Sequence, residues 1–139
     1  KAKKISLQFP YSLVIGADTA IEFKDIIIGK PTNKRDAFNT LCKLSGNKHI
    51  VHTSVSVILK SKNINEMITD KTEVTFNTLN EDDIKYYIKS YNPLERAGSY
   101  GIQEWSSVFV KKINGCYYNV VGFPLPKFYI LFNKIKKLL

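Results

Sequence analysis

The chain has 139 residues, 44% of them hydrophobic, enough for one domain with a real core and not obviously two. Lys and Arg total 21 against 12 acids, and the net charge of +9 makes a polyanionic partner the expectation: nucleic acid, free nucleotide or an acidic membrane face. Only Arg35 and Arg96 carry the planar fork that reads guanine, which argues against sequence-specific DNA binding, and no apolar stretch is long enough to cross a bilayer.

The opening "KAKKISLQF" reads as the tail of a lysine-bearing amphipathic helix without a cap before it, as expected of a C-terminal fragment. "SLVIGA" reads as a buried strand with Asp18 at its exit, and "AIEF" with "IIIG" around Lys24-Asp25 as a hairpin. In "PTNKRDAFNTLCKLSG", Thr32 or Asn33 caps a helix, Phe38, Leu41 and Leu44 stand at helical spacing, and Gly46 falls where a terminating glycine belongs. "HIVHTSVSVILK" puts Val51, Thr53, Val55, Val57 and Leu59 on one side of a strand, and "EVTFNTL" repeats the period of two.

Asn80 heads the next helix with three acids in its first turn, where the positive end of the helix dipole favours them, and Ile84, Tyr87 and Ile88 turn inward. Pro93 stops it. "NPLERAGSYGIQEWSS" then forms a long polar and aromatic segment of functional character. "VFVKKI", the Asn114-Gly115 turn and "CYYNVV" read as a final hairpin. Pro124 opens a last helix with Leu125, Phe128, Tyr129, Phe132 and Ile135 inside. The sum is one α/β domain over residues 1–139, with a mixed β-sheet and flanking helices.

Cys42 and Cys116 belong to no CxxC pair and are expected to pack as small hydrophobes, Cys42 on the apolar side of its helix and Cys116 at the start of a strand. With no secretory apolar region near Lys1, a soluble cytoplasmic protein is expected. His49 and His52 are three apart on an alternating strand, hence on opposite faces, so a histidine metal pair is not expected; His49 reads simply as a polar residue after a turn. There is no P-loop, no GxGxxG after a strand and no GxSxG elbow. What remains is Asp18, Thr19, Lys30, Glu95, Arg96 and Gln103. Gly16 lets a ligand approach the backbone beside Asp18 and Thr19, although by residue type alone an Asx turn explains Asp18 more simply. Lys30, held extended by Pro31, can reach a phosphate or merely stay solvated.

"VIGADTAI", "IIIGKP", "LCKLSGNKHIVHTSVSV", "EVTFNTL", "NPLERAGSYGIQEW" and "INGCYYNVVGFPL", in this order and at these intervals, closely resemble the Maf family of nucleoside triphosphate pyrophosphatases. The resemblance runs nearly end to end. It implies the Maf/Ham1 (ITPase-like) fold lacking its N-terminal part, and hydrolysis of a nucleoside triphosphate between the α and β phosphates with a divalent metal, Mg²⁺ or Mn²⁺. Asp18 matches the family's catalytic aspartate, the proton acceptor for the attacking water and a metal ligand. Lys30 matches a catalytic lysine that neutralises charge on the leaving pyrophosphate. Thr19 and Gln103 match positions tied to base choice in the branch that prefers dTTP and UTP, which the "AGSYGIQ" block also resembles. Lys1, Glu95 and Arg96 are carried as further contacts to substrate or metal.

The sequence departs from the family in four places. Glu95-Arg96 replaces the usual Asp-Lys, Glu104-Trp105 follows Gln103 where glycine is commoner, Ser54 stands for a small residue, and the N-terminal serine- and arginine-bearing phosphate loop has no counterpart. Without that loop the triphosphate is expected to bind weakly. The implied partner is the nucleotide, with a homodimer compatible and neither membrane nor specific nucleic acid expected. Two other functions stay open: a non-catalytic nucleotide or nucleic-acid binding module, suggested by the charge and by Tyr100 and Trp105, and a cell-division regulator acting through partners, since the family has been linked to septum formation.

Overall fold

Strand register organises the molecule. The computed structural model describes residues 1–139, in which five strands form one sheet in the order β2-β1-β3-β4-β5. These are β1 (Val14–Phe23), β2 (Ile26–Ile28), β3 (Lys48–Leu59), β4 (Ile64–Phe76) and β5 (Val110–Asn114). All four ladders are antiparallel. The expected sheet with flanking helices is present, but its strand directions are not mixed, because β1 and β2, and β3 and β4, are joined by short turns that can only reverse the chain. The first turn, Lys24-Asp25, has positive φ at both residues (50° and 62°), the handedness that matches the twist of its strands.

Along β3, His49, Val51, Thr53, Val55, Val57 and Leu59 are all buried, while the alternate residues Ile50, His52, Ser54 and Ser56 are only half-covered. The buried face is covered at one end by α2 (Lys34–Leu44) and α3 (Glu81–Ser90), where Leu41, Leu44, Ile84, Tyr87 and Phe76 form the larger core. At the other end α5 (Leu125–Lys136) lays Leu131 and Ile135 on Val55, Val57, Leu59 and Ile64. Both α2 and α3 start on asparagine caps, Asn33 accepting from the Asp36 N–H and Asn80 from the Asp83 N–H, each worth about 1 kcal/mol. On the opposite face α1 (Ala2–Gln8) packs so closely that a Cβ at Gly16 would stand 3.0 Å from Ala2.

Several expectations are revised. β1 is one continuous strand, so Asp18 lies in its middle, paired with Ser54, rather than at a strand exit or in an Asx turn. "CYYNVV" is not a strand: residues Tyr117–Val121 form a short helix, α4, with Asn119 fully buried beneath it. Its Nδ2 donates to the Val51 carbonyl (2.9 Å) and to Thr72 Oγ1 (3.0 Å), and these anchors override the strand preference of Val120 and Val121. Cys116 consequently caps a helix, half-buried, and Cys42 is exposed rather than packed. In α5 the inner side is Phe128, Leu131 and Ile135; Leu125 and Tyr129 face outward, since α5 meets the sheet with only a narrow stripe.

The segment after α3 folds back over the buried face as three short 3₁₀ turns, Pro93–Glu95, Ala97–Ser99 and Trp105–Phe109. Gly98 sits at φ +66° with its N–H bonded to the Gly29 carbonyl (3.0 Å), and a Cβ there would come within 2.1 Å of Ile21 Cδ1. Gly98→Ala is therefore expected to cost roughly 1–3 kcal/mol through strain and overpacking together, read as a lowered urea midpoint at unchanged m-value.

Candidate active site

β2 pairs with β1 only at Ile21–Phe23, so Val14–Ala20 has no strand on that side. A cleft of about 280 Å³ opens along this free edge, between β1, the 95–103 segment and the end of α4. Its floor is apolar, built by Ile21, Val51, Tyr100, Ile102 and Val121, and charged groups ring its mouth. Adjacent strand residues point to opposite faces, yet both Asp18 and Thr19 line this cleft, because it wraps the uncovered edge.

The structure brings together every site residue expected from the sequence. Asp18, Thr19, Lys30, Glu95, Arg96 and Gln103 line one cleft, and Lys1, at the start of α1, joins them from the other face. Lys30 Nζ lies 2.7 Å from Glu95 Oε2, and the ammonium holds that carboxyl below its ordinary range. Both groups are well exposed, so the pair is weak and open to competition from an anion. Arg96 grips Glu104 Oε1 through Nε (2.9 Å) and Nη2, while Glu104 Oε2 accepts from the Tyr87 hydroxyl at 2.7 Å. Burial, chiefly, pushes the Tyr87 phenol up to about 12. The glutamate that departs from the family pattern thus ties the 96–104 loop to α3.

The cleft's carboxylates are Asp18 and Glu95, and no group of three or more His, Cys, Asp or Glu side chains is assembled to hold a metal. Two carboxylates match what Mg²⁺ takes from protein when phosphate oxygens and water complete its octahedron; they would not make an all-protein cage.

Two features escaped the sequence reading. His49 is not a polar residue at a turn but a buried one, sharing a 2.8 Å hydrogen bond from Nε2 with the Tyr100 hydroxyl and meeting the Phe76 ring edge-on. Thr53 and Asn119 form a polar knot under Thr19: the two threonine Oγ1 atoms are 2.9 Å apart, and Thr53 Oγ1 donates to the Asn119 carbonyl at 2.8 Å. The available signal was a hydroxyl in the core register of β3, where a buried polar group needs a partner.

The family model for the Maf-like protein matches residues 1–135. This chain belongs to the Maf-like family. Among curated Maf-like relatives, the dTTP/UTP pyrophosphatase of Clostridium beijerinckii is 44% identical over 125 residues, covering 90% of this chain and 66% of the relative. That of Clostridium botulinum (strain Loch Maree / Type A3) is 48% identical over 119 residues, 84% of this chain and 60% of the relative. That of Geobacillus sp. (strain WCH70) is 44% identical over 127 residues, 91% of this chain and 67% of the relative. The chain thus spans 60–67% of the length of these relatives. No helix in it is long and apolar enough to cross a membrane.

Burial pushes His49 down to about 4, so it stays neutral under Tyr100 at pH 7, while in the unfolded chain it titrates near 6.5. The unfolded state then binds more protons between these values, and stability rises with pH from about 4 to 6.5 and levels off above. This single group is expected to contribute a rise in stability of roughly 3 kcal/mol across that window. Urea midpoints measured from pH 4.5 to 7.5 should show it, and His49→Gln should flatten it.

Proposed function

We propose that this protein hydrolyses dTTP and UTP to the monophosphate and pyrophosphate. The observation that carries the proposal is the convergence, in one cleft, of Asp18, Thr19, Lys30 and Gln103 from two segments far apart in the chain. The names of its relatives support the same reading.

The base enters the apolar floor, with Thr19 and the Gln103 amide as the polar groups that read its edge. The phosphates extend along the free edge of β1 towards Asp18, Lys30 and Lys1. Asp18 takes a proton from a water whose oxygen attacks the α-phosphorus; the bond from Pα to the bridging oxygen breaks, and the leaving pyrophosphate keeps that electron pair. Lys30 leaves Glu95 and turns its charge to the departing oxygens, while Arg96, held by Glu104, keeps the loop in place. A divalent cation, bound through Asp18 and the phosphates with Glu95 available once Lys30 has left it, would neutralise the triphosphate and acidify the attacking water. The setting is a cytosolic nucleotide pool, with a homodimer as the assembly to look for.

A second reading rests on the groove between α2 and α3, where Lys34, Arg35, Lys85 and Lys89 surround Phe38, a basic surface with an aromatic that suits a non-catalytic nucleic-acid module. Pyrophosphate release by the purified protein separates the two.

Asp18→Asn, nearly isosteric and at an exposed position, is expected to keep the fold and lower kcat by about 10²- to 10⁴-fold. Turnover equal to that of the unmodified protein would remove Asp18 as the base. Gln103→Leu should lower kcat/KM for dTTP and UTP by about tenfold to a hundredfold, and for purine triphosphates much less. Equal losses on both would show that Gln103 only ties down its loop.

A further inference from the structure

We infer that Thr53 and Asn119, which do not themselves line the cleft, set the hydrogen-bond polarity of Thr19 so that it can only accept, and thereby select bases whose ring N3 carries a hydrogen, uracil and thymine over cytosine. This rests on the reading of the cleft as a pyrimidine nucleotide site.

A threonine hydroxyl has one hydrogen to donate and two lone pairs to accept with. A backbone carbonyl only accepts. Thr53 Oγ1 stands 2.8 Å from the Asn119 carbonyl, so the Thr53 proton is committed there. Thr53 Oγ1 is also 2.9 Å from Thr19 Oγ1, and, having no second proton, it must accept in that contact. Thr19 is then the donor, its proton is used inside the protein, and only lone pairs remain for the cleft that Thr19 lines.

The committed polarity needs a rigid carbonyl, and Asn119 provides it. Its residue is fully buried, and its Nδ2 is held by the Val51 carbonyl at 2.9 Å and by Thr72 Oγ1 at 3.0 Å. Thr72 in turn accepts from the Cys116 N–H and donates to the Cys116 carbonyl, both at 3.1 Å, so its hydroxyl is saturated and cannot turn to take over the bond from Thr53. Thr53 is fully buried as well, with no water to lend it an alternative partner. A fixed acceptor matches the N3–H of uracil and thymine. It opposes the bare N3 lone pair of cytosine, where two acceptors would meet across a desolvated contact. Thr53 and Asn119 are thus positioning residues, acting through Thr19.

The test uses equilibrium binding, so it does not depend on turnover. The α,β-imido analogues of UTP, CTP and N3-methyl-UTP are titrated calorimetrically into the protein with Mg²⁺, and into Thr53→Val, Thr53→Ser and Thr19→Val variants whose folding is checked by circular dichroism. The unmodified protein is expected to bind the UTP analogue about tenfold or more tightly than the other two. Thr53→Val frees the Thr19 proton to turn into the cleft and donate to cytosine, so the ratio of UTP to CTP affinity should fall several-fold towards one. Thr53→Ser keeps the proton relay and should keep the ratio; Thr19→Val should abolish it. An unchanged ratio in folded Thr53→Val, or equal binding of UTP and N3-methyl-UTP analogues by the unmodified protein, would overturn the inference. If Thr53→Val does not fold, the N3-methyl comparison and Thr53→Ser still decide. Base preference in binding without any pyrophosphate release would count against the hydrolase reading alone, while no binding of any analogue even at millimolar concentration, where weak binding without the phosphate loop still registers, would sink both.

Discussion

The register of β3 is the constraint on which the rest of the structure depends. Side chains alternate strictly along a strand, so a slip of one position would carry His49, Val51, Thr53, Val55 and Val57 together to the polar face. With them would go the floor of the cleft, the support under Tyr100 and the knot under Thr19. β3 is held against this on both sides, by nine paired positions with β1 and twelve with β4. The core and the cleft are therefore not separate achievements of the fold. Val51 belongs to both, and the same alternation that drives burial builds the floor of the cleft.

Within the cleft, rigidity and adaptability are divided by depth. In and beneath its floor lie groups that are buried and bonded to one another, His49 to Tyr100 and Thr53 to Asn119. Moving any of them leaves a polar group unpaired in a place water does not reach, which fixes their geometry. The outer groups, Lys30 and Glu95, are paired in water and held only weakly. Such a layout suits a ligand with a base to be read at the bottom and charge to be gathered at the top. It also tempers the net charge of +9: of the three cations at the mouth, Lys30 and Arg96 already have acids beside them.

Much of this was legible in the sequence. The period of two in β3, the asparagine caps of α2 and α3 and the stop at Pro93 all signal local preferences that the packing agrees with. The charged and amide residues of the cleft were legible mainly through the family resemblance of the blocks that carry them; residue type alone reads Asp18 as an Asx turn and leaves Lys30 between a phosphate contact and a solvated lysine. α4 was not, because an Asn-Gly pair followed by aromatic and β-branched residues is locally a hairpin, and only the bonds of Asn119 to β3 and β4 make it helical. The supporting groups were missed for the same reason. Nothing adjacent in sequence to His49 says that Tyr100 will lie above it, and the partners of Thr53 are 34 and 66 residues away.

The uncovered edge of β1 bears on how the protein behaves in company as well as on what it binds. A strand that shows its backbone N–H and C=O groups to solvent invites a second strand, and Val14, Ile15, Ala17 and Ala20 would make an adhesive one. Over Val14–Ala20 a single charge interrupts that template, the carboxylate of Asp18. Pairing a copy against this exposed charge would strip away its water, which deters edge-to-edge association. One side chain thus stands both in the lining of the cleft and in the path of a pairing strand, so its removal would bare an apolar edge as well as alter the cleft.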